Sequence, residues 1–345
     1  AAAPVRSVSS IVTGRNFVGG VIGFNDKNGD LKADYELIGG QIYASGTGAG
    51  GAVGLNASSQ LLTETLFVRP VSVEGNLCVG GCIGISLADL KADTVMDGFR
   101  AVNSLGTIKG TAFTGGIIGY HRTYTEEQLG GIPLAQYLQA EMELSSPDAG
   151  SLLPKLDESN LPSPVIESQN TCRLIISNKE NDKVTLDSAN NNISIQSFAY
   201  AGGIVGYCER SSRLILRNCR NSGKISRPEN PAENPAAQGV SIKAYLAREG
   251  MGSAADQIGE IRVSMIGGIL SANMEHQVID HCVNTGSMNG FVGLGGIVGF
   301  NAGGVFCCEL ADNFGNAQLD YIGGIAGLNI RAGNASDVYT YTDIS

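Results

Sequence analysis

One seven-residue phrase occurs eight times in this chain. It reads GGVIGFN from Gly19, GGAVGLN from Gly50, GGCIGIS from Gly80 and GGIIGYH from Gly115. It returns as GGIVGYC from Gly202, GGILSAN from Gly267, GGIVGFN from Gly295 and GGIAGLN from Gly323. The copies start 31, 30, 35, 87, 65, 28 and 28 residues apart, a period near 30 that is interrupted twice. Self-similarity at such a period marks one supersecondary unit stacked on itself, each unit touching only its neighbours. A chain of 345 residues would otherwise suggest about two domains.

Alternate residues of a strand point to opposite faces. The fourth and sixth positions of each phrase therefore share a face: Ile22 with Phe24, Val53 with Leu55, Ile83 with Ile85, Ile118 with Tyr120, Val205 with Tyr207, Leu270 with Ala272, Val298 with Phe300 and Ala326 with Leu328. That face is apolar in every copy and is expected to point to the core. The opposite face carries an apolar third residue and then Gly, with Ser271 the one exception, so something is expected to pack closely there. A strand covered on both faces suits parallel pairing. The Gly-Gly pair predicts a bend at φ values other residues resist. The closing Asn25, Asn56, Asn273, Asn301 and Asn329 suit a corner, where stacked amides can bond one another.

A weaker second phrase, Asn-x-Gly followed by a strand signal, begins at Asn221, Asn284 and Asn313, with a looser copy at Asn103. Each 28-residue unit is thus read as a strand, a turn and another strand or two. The expected fold is all-β: a parallel β-solenoid, or β-helix, of about eight rungs spaced ~4.8 Å apart, with two inserted loop or helix segments. Residues 1–121 hold the first four rungs, 171–225 another, and 259–345 the remaining rungs and a C-terminal cap. Residues 122–170 form the first insertion, with a short helix predicted from Pro133 to about Leu144 and then a Pro-rich loop. Residues 226–258 form the second, with a short helix around Val240–Arg248. Long loops on a rigid scaffold are where binding usually resides. The competing reading is that they cover a sheet edge.

Composition narrows the partners. Net charge is −10, which speaks against nucleic acid or an anionic membrane surface. No apolar run approaches the roughly 18 residues of a transmembrane helix. The opening AAAPVRS reads as a mature or trimmed start. Hydrophobic residues make up 43%, enough for a packed core. The eight cysteines form no CxxC pair, so they read as buried apolar thiols. Cys219 and Cys282 each lie two residues before an Asn of the second phrase, so a stack of thiols in adjacent rungs is expected there, not a bond.

Few residues carry recognisable chemistry. Asp26, Asn28, Asp30 and Asp34 place oxygens at alternate positions, as a calcium loop does, with Lys32 offering its carbonyl. Leu31 and Leu37 replace the Gly and the acidic residue such a loop carries at its sixth and twelfth places. The other reading is a solvated Asn-Gly turn. His276 and His281 flank Asp280 but face opposite ways in a strand, and no HExxH occurs. His121 takes a corner-Asn position. A nucleophilic cysteine needs a nearby base, and Cys208, next to Glu209 and Arg210, is the candidate singled out here. GxSxG and Walker motifs are missing. Glu126, Glu127, Glu141 and Glu143 read as the solvated side of a helix.

The stretch HCVNTGSMNGFVGL followed by GGIVGFN resembles the GLUG repeat of bacterial surface proteins, over residues 11–120, 198–225 and 258–330. The resemblance implies an adhesin-like module, secreted or on the outer cell surface, without catalysis; no cofactor other than the calcium named above is expected, and the expected partner is a host glycan or extracellular protein. The two insertions depart from the family pattern, and they are the expected contact surfaces because they are long loops on a rigid scaffold. Similar repeats occur in non-catalytic regions of immunoglobulin A peptidases, which is one alternative. A carbohydrate-active β-helix enzyme is the other, and it would need two carboxylates facing across a groove.

Overall fold

A computed structural model describes residues 5–8, 10–26, 29, 35–57, 66–89, 94–97, 99–124, 165–168, 174–177, 184–209, 212–228, 239–248, 256, 261–274, 277–289, 293–306, 308–310 and 322–329. The chain is nearly all-β, and its main sheets are parallel, the arrangement of a solenoid or β-helix. Sheet 1 has eight strands, running from Val5–Val8 through Asn190–Asn191 to Glu309–Leu310. Sheet 2, of thirteen strands, holds two side-by-side columns joined by the long strands Gln41–Gly50 and Ser72–Gly80. Sheet 3 has eight strands, one from each phrase, from Ile22–Asn25 to Ala326–Asn329. Sheet 4 has five, from Thr94–Asp97 to Gly304–Phe306.

The chain visits these sheets in a fixed order. Gln277–Asp280 lies in sheet 4, Val283–Asn284 in sheet 1, Met288–Asn289 and Leu294–Gly295 in the two columns of sheet 2, and Val298–Asn301 in sheet 3. Each period therefore holds more and shorter strands than the spacing predicts, because the corners recur every few residues. The phrases stack in register. The first glycines pair as Gly19, Gly50, Gly80, Gly115, Gly202, Gly267, Gly295 and Gly323 in succession. The fourth positions do likewise, from Ile22 to Ala326.

The glycines do a different job from the one expected. None of the described Gly-Gly pairs has positive φ. The left-handed residue lies two positions earlier: Phe17, Gly48, Cys78, Phe113, Tyr200, Met265 and Gly293, with φ between 49° and 77°. The first glycine is bare because a methyl group there would overlap the carbonyl oxygen three residues on, as Gly50 would Val53. The second is bare because it touches the second glycine of the next layer and a sheet 1 side chain from across the interior. Gly51 meets Val68 this way, Gly81 meets Ala101, Gly116 meets Asn191 and Gly203 meets Asn221.

Two apolar clusters fill the fold. The first lies inside the ring of sheets and includes Ile42, Val73, Ile108, Ile195 and Ile225 from sheet 2 and the third and fourth phrase positions such as Ile117 and Ile118. The second takes the sixth positions Leu55, Ile85, Tyr120, Tyr207, Ala272 and Phe300. The fourth and sixth positions thus serve separate cores, not the single one expected. The second cluster also receives the left-handed residues. Phe113 lies 6.0 Å from Tyr120 and 5.1 Å from Tyr207, and Tyr200 lies 5.3 Å from Tyr207. A non-glycine left-handed residue costs roughly 1–2 kcal/mol. Burying an aromatic ring recovers more than that.

Parts of both insertions are described. Val165–Ser168 and Leu174–Ser177 form an antiparallel pair apart from the main sheets. The helix expected from Pro133 lies outside the described residues. In the second insertion, Val240–Ser241 pairs antiparallel with Arg262–Val263 and is followed by a helix, Ile242–Arg248. Ile242, Tyr245 and Leu246 of that helix are buried in the second cluster, with Tyr245 5.5 Å from Phe300 and 6.2 Å from Tyr200. This segment covers the aromatic row. No helix among the described residues is long and apolar enough to cross a membrane.

Candidate functional site

Stacking in register turns each recurring polar residue into a column. On sheet 3 the seventh positions run Asn25, Asn56, Ser86, His121 and Cys208, and then Asn273, Asn301 and Asn329. Asn25 Nδ2 donates to Asn56 Oδ1 at 2.7 Å, Asn273 to Asn301 at 2.8 Å and Asn301 to Asn329 at 2.9 Å. A second ladder crosses the first core. Asn191 Nδ2 donates to Asn221 Oδ1 at 2.8 Å, and Asn221 Nδ2 to Asn284 Oδ1 at 2.8 Å. The Asn221 and Asn284 oxygens also accept from the backbone N–H two residues on, at 3.2 and 3.1 Å. These are the second-phrase asparagines, and their turn is the one the sequence implies. A buried amide left without partners would cost about 1–3 kcal/mol. Each layer supplies the partners for the next.

The sheet 3 ladder changes character where the first insertion departs. Strand Ile118–Tyr124 continues past the phrase, pairing Leu87 with Arg122, Ala88 with Thr123 and Asp89 with Tyr124. Arg122 Nε lies 2.8 Å from Glu209 Oε2, with the side chains 3% and 14% exposed. Tyr120 Oη donates to the same oxygen at 3.3 Å. The backbone joins in: Glu209 N donates to His121 O at 3.1 Å, Thr123 N to Ser212 Oγ at 2.9 Å and Arg213 N to Thr123 Oγ1 at 3.3 Å. From the next layer, Gln277 Nε2 donates to Glu209 O at 2.8 Å. Removing one member of a buried ion pair typically costs 3–5 kcal/mol. The root of the insertion is therefore locked.

Burial holds two titratable groups of this column in their neutral forms. Burial pushes the His121 imidazole down to about 4, so it is neutral near pH 7, and its Nδ1 lies 3.2 Å from Ser86 Oγ. Burial, with the Glu209 carboxylate adding to it, holds the Cys208 thiol well above its usual range. A thiol kept protonated is a poor nucleophile. Glu209 is spent on Arg122 and Tyr120. Cys208 and His121 are members of the polar column.

The other expected site residues fall as follows. Asp26 is exposed directly after ladder residue Asn25, and Gly29 N donates to its carbonyl at 2.7 Å. Asn28, Asp30 and Asp34 lie outside the described residues, as do His276, Arg210, Glu126, Glu127, Glu141 and Glu143. Among the described residues no three His, Cys, Asp or Glu side chains gather to hold a metal. His281 sits at a corner with φ 50°, its Nδ1 2.6 Å from Asp280 Oδ1, while Arg217 Nε reaches Asp280 Oδ2 at 3.5 Å. Ser188 and Asn218 hold the same left-handed corner in other layers.

The Arg122–Glu209 pair is new relative to the sequence reading. Its signal was present: each residue immediately follows a phrase, at His121 and at Cys208, and consecutive phrases are adjacent strands. Comparison with protein-family models, curated proteins and solved structures returned no match.

Proposed function

We propose that the chain is a solenoid of eight coils that works by binding, without catalysis, in an extracellular or outer cell-surface setting, as its resemblance to GLUG-repeat proteins implies. The observation that carries this reading is the self-satisfaction of the repeated polar residues: the asparagine ladders bond to themselves, layer upon layer, and so serve the scaffold. Contact with a host glycan or extracellular protein is assigned to the first insertion, residues 122–170, whose root is held by Arg122 and Glu209. The 226–258 insertion contributes less, since its helix packs down on the aromatic row. A calcium ion on Asp26, Asn28, Asp30 and Asp34 belongs to the same proposal, and calorimetry showing no heat at about millimolar Ca²⁺ removes it.

The test is a shortened chain. Leu214–Arg217 of sheet 4 follows Val205–Cys208 of sheet 3 after only the connection 209–213. A linker of that length can replace residues 125–183. The full chain and the shortened one are screened on immobilised glycans and matrix proteins, with circular dichroism reporting the fold. The expected outcome is an intact β spectrum and lost binding. Binding retained by the shortened chain contradicts the assignment.

A further inference from the structure

The corner between sheets 4 and 1 carries a column of sulfur. Cys219, Cys282 and Cys308 each stand one residue before a sheet 1 strand, and Arg220, Val283 and Glu309, which follow them, pair in register. Each sulfhydryl donates to a carbonyl one layer back: Cys219 to Leu186 O at 3.4 Å, Cys282 to Leu216 O at 3.5 Å and Cys308 to Ile279 O at 3.7 Å. Cys282 therefore stands between Cys219 and Cys308 in the column, one layer from each. All three are free thiols. Cys219 and Cys282 are buried, whereas Cys308 is half-buried and reachable from solvent. Packing alone does not require sulfur, because Ala189 fills the same place before Asn190.

Among the described residues no three donors converge on one point, so this is not the closed tetrahedral set that zinc takes. The column presents sulfurs in a line, one per layer, at a repeat of about 4.8 Å. Consecutive pairs of soft donors suit a two-coordinate monovalent d¹⁰ cation, and thiolate sulfur selects Cu(I). We propose that Cys282 and Cys308 hold one Cu(I) ion between them. The ion displaces the proton of one sulfhydryl, which leaves to solvent, and binds that thiolate and the neighbouring neutral thiol. No electron moves, and the site stays uncharged, as a buried position favours. Cys308 is the point of entry, which is why this pair is chosen over Cys219 with Cys282.

The test uses the reduced full-length chain, titrated anaerobically with Cu(I) against a chromophoric chelator. The native chain is expected to withhold one equivalent. Cys282→Ser and Cys308→Ser each lose it, with affinity falling by at least the roughly 10–100-fold that loss of an outer-sphere partner already costs. Cys219→Ser keeps it. Cys308→Ser alters a half-buried position, so it decides the matter should Cys282→Ser not fold. The proposal is overturned if the native chain withholds no Cu(I), if Cys282→Ser still binds (which would point to the adjacent Cys307–Cys308 pair), or if Cys219→Ser loses the ion. It also falls if the isolated chain titrates with fewer than its eight thiols because Cys282 and Cys308 are joined by a disulfide.

Discussion

Ser271 stands where the other seven phrases have glycine, and replacing it should stabilise the protein. At the equivalent Gly206 an added methyl would meet Gly119 O at 2.5 Å and the Phe113 and Thr114 carbonyl carbons at 2.6 Å. All are backbone atoms, so nothing can rotate away. Ser271 carries that carbon, and pairing with the preceding strand shrinks to Val205↔Leu270, whereas the following strand keeps Ala272↔Phe300 and Asn273↔Asn301. Its hydroxyl is buried with no hydrogen-bond partner. An orphaned buried hydroxyl costs about 1–3 kcal/mol. Glycine in a strand gives back roughly 0.5–1 kcal/mol of that in backbone entropy. Ser271→Gly should therefore stabilise by about 0.5–2 kcal/mol, read as a raised denaturant midpoint. Gly206→Ser, with no such accommodation, should lose about 3 kcal/mol or more. If Ser271→Gly lowers the midpoint, the close-approach account of the fifth phrase position is wrong.

Asn221→Ala removes an interior ladder member, takes one partner each from Asn191 and Asn284 and two from the Gly223 backbone, and should cost about 3–5 kcal/mol. Asn25→Ala, at the end of its ladder, should cost about 1 kcal/mol; equal losses in the two denaturation curves would argue against cooperative columns. His121 has an ordinary value of 6.5 and a folded value of about 4, so the unfolded chain takes up the proton first. Stability should then be full above pH 6.5 and fall by about 3 kcal/mol as pH drops toward 4. His121→Asn should flatten that part of the pH profile, and an unchanged slope assigns the acid sensitivity elsewhere. Arg122→Met, which strands Glu209 away from water, should cost about 3–5 kcal/mol, with hydrogen exchange rising first near residues 118–124.

Much of this fold was readable before any coordinate. Eight phrases at a near-constant period imply parallel stacking, and the Asn25, Asn56, Asn301 and Asn329 ladder follows from register alone. The glycine pairs were misread. Glycine signals either unusual φ or close approach, and only the position of the left-handed Phe113 and Tyr200 separates the two. Residues so bulky give no local sign of a positive φ, because their strain is relieved by packing between layers. For the same reason the fourth and sixth positions looked like one face of one core. The helix Ile242–Arg248 was legible from its composition, but its docking on Tyr200 and Phe300 depends on tertiary contacts. The Arg122–Glu209 lock needed the register of consecutive phrases applied one residue beyond their ends.

The claim beneath all of this is that segments far apart in sequence lie on neighbouring strands. Thr107 and Ser194 test it across the first insertion, for they are in-register partners on the partly exposed face of sheet 2. Spin labels carried on unnatural amino acids at these two positions should couple strongly, with backbones about 5 Å apart, and broaden the continuous-wave spectrum beyond the sum of the single labels. Uncoupled spectra, placing the two sites several strand spacings apart, would contradict it.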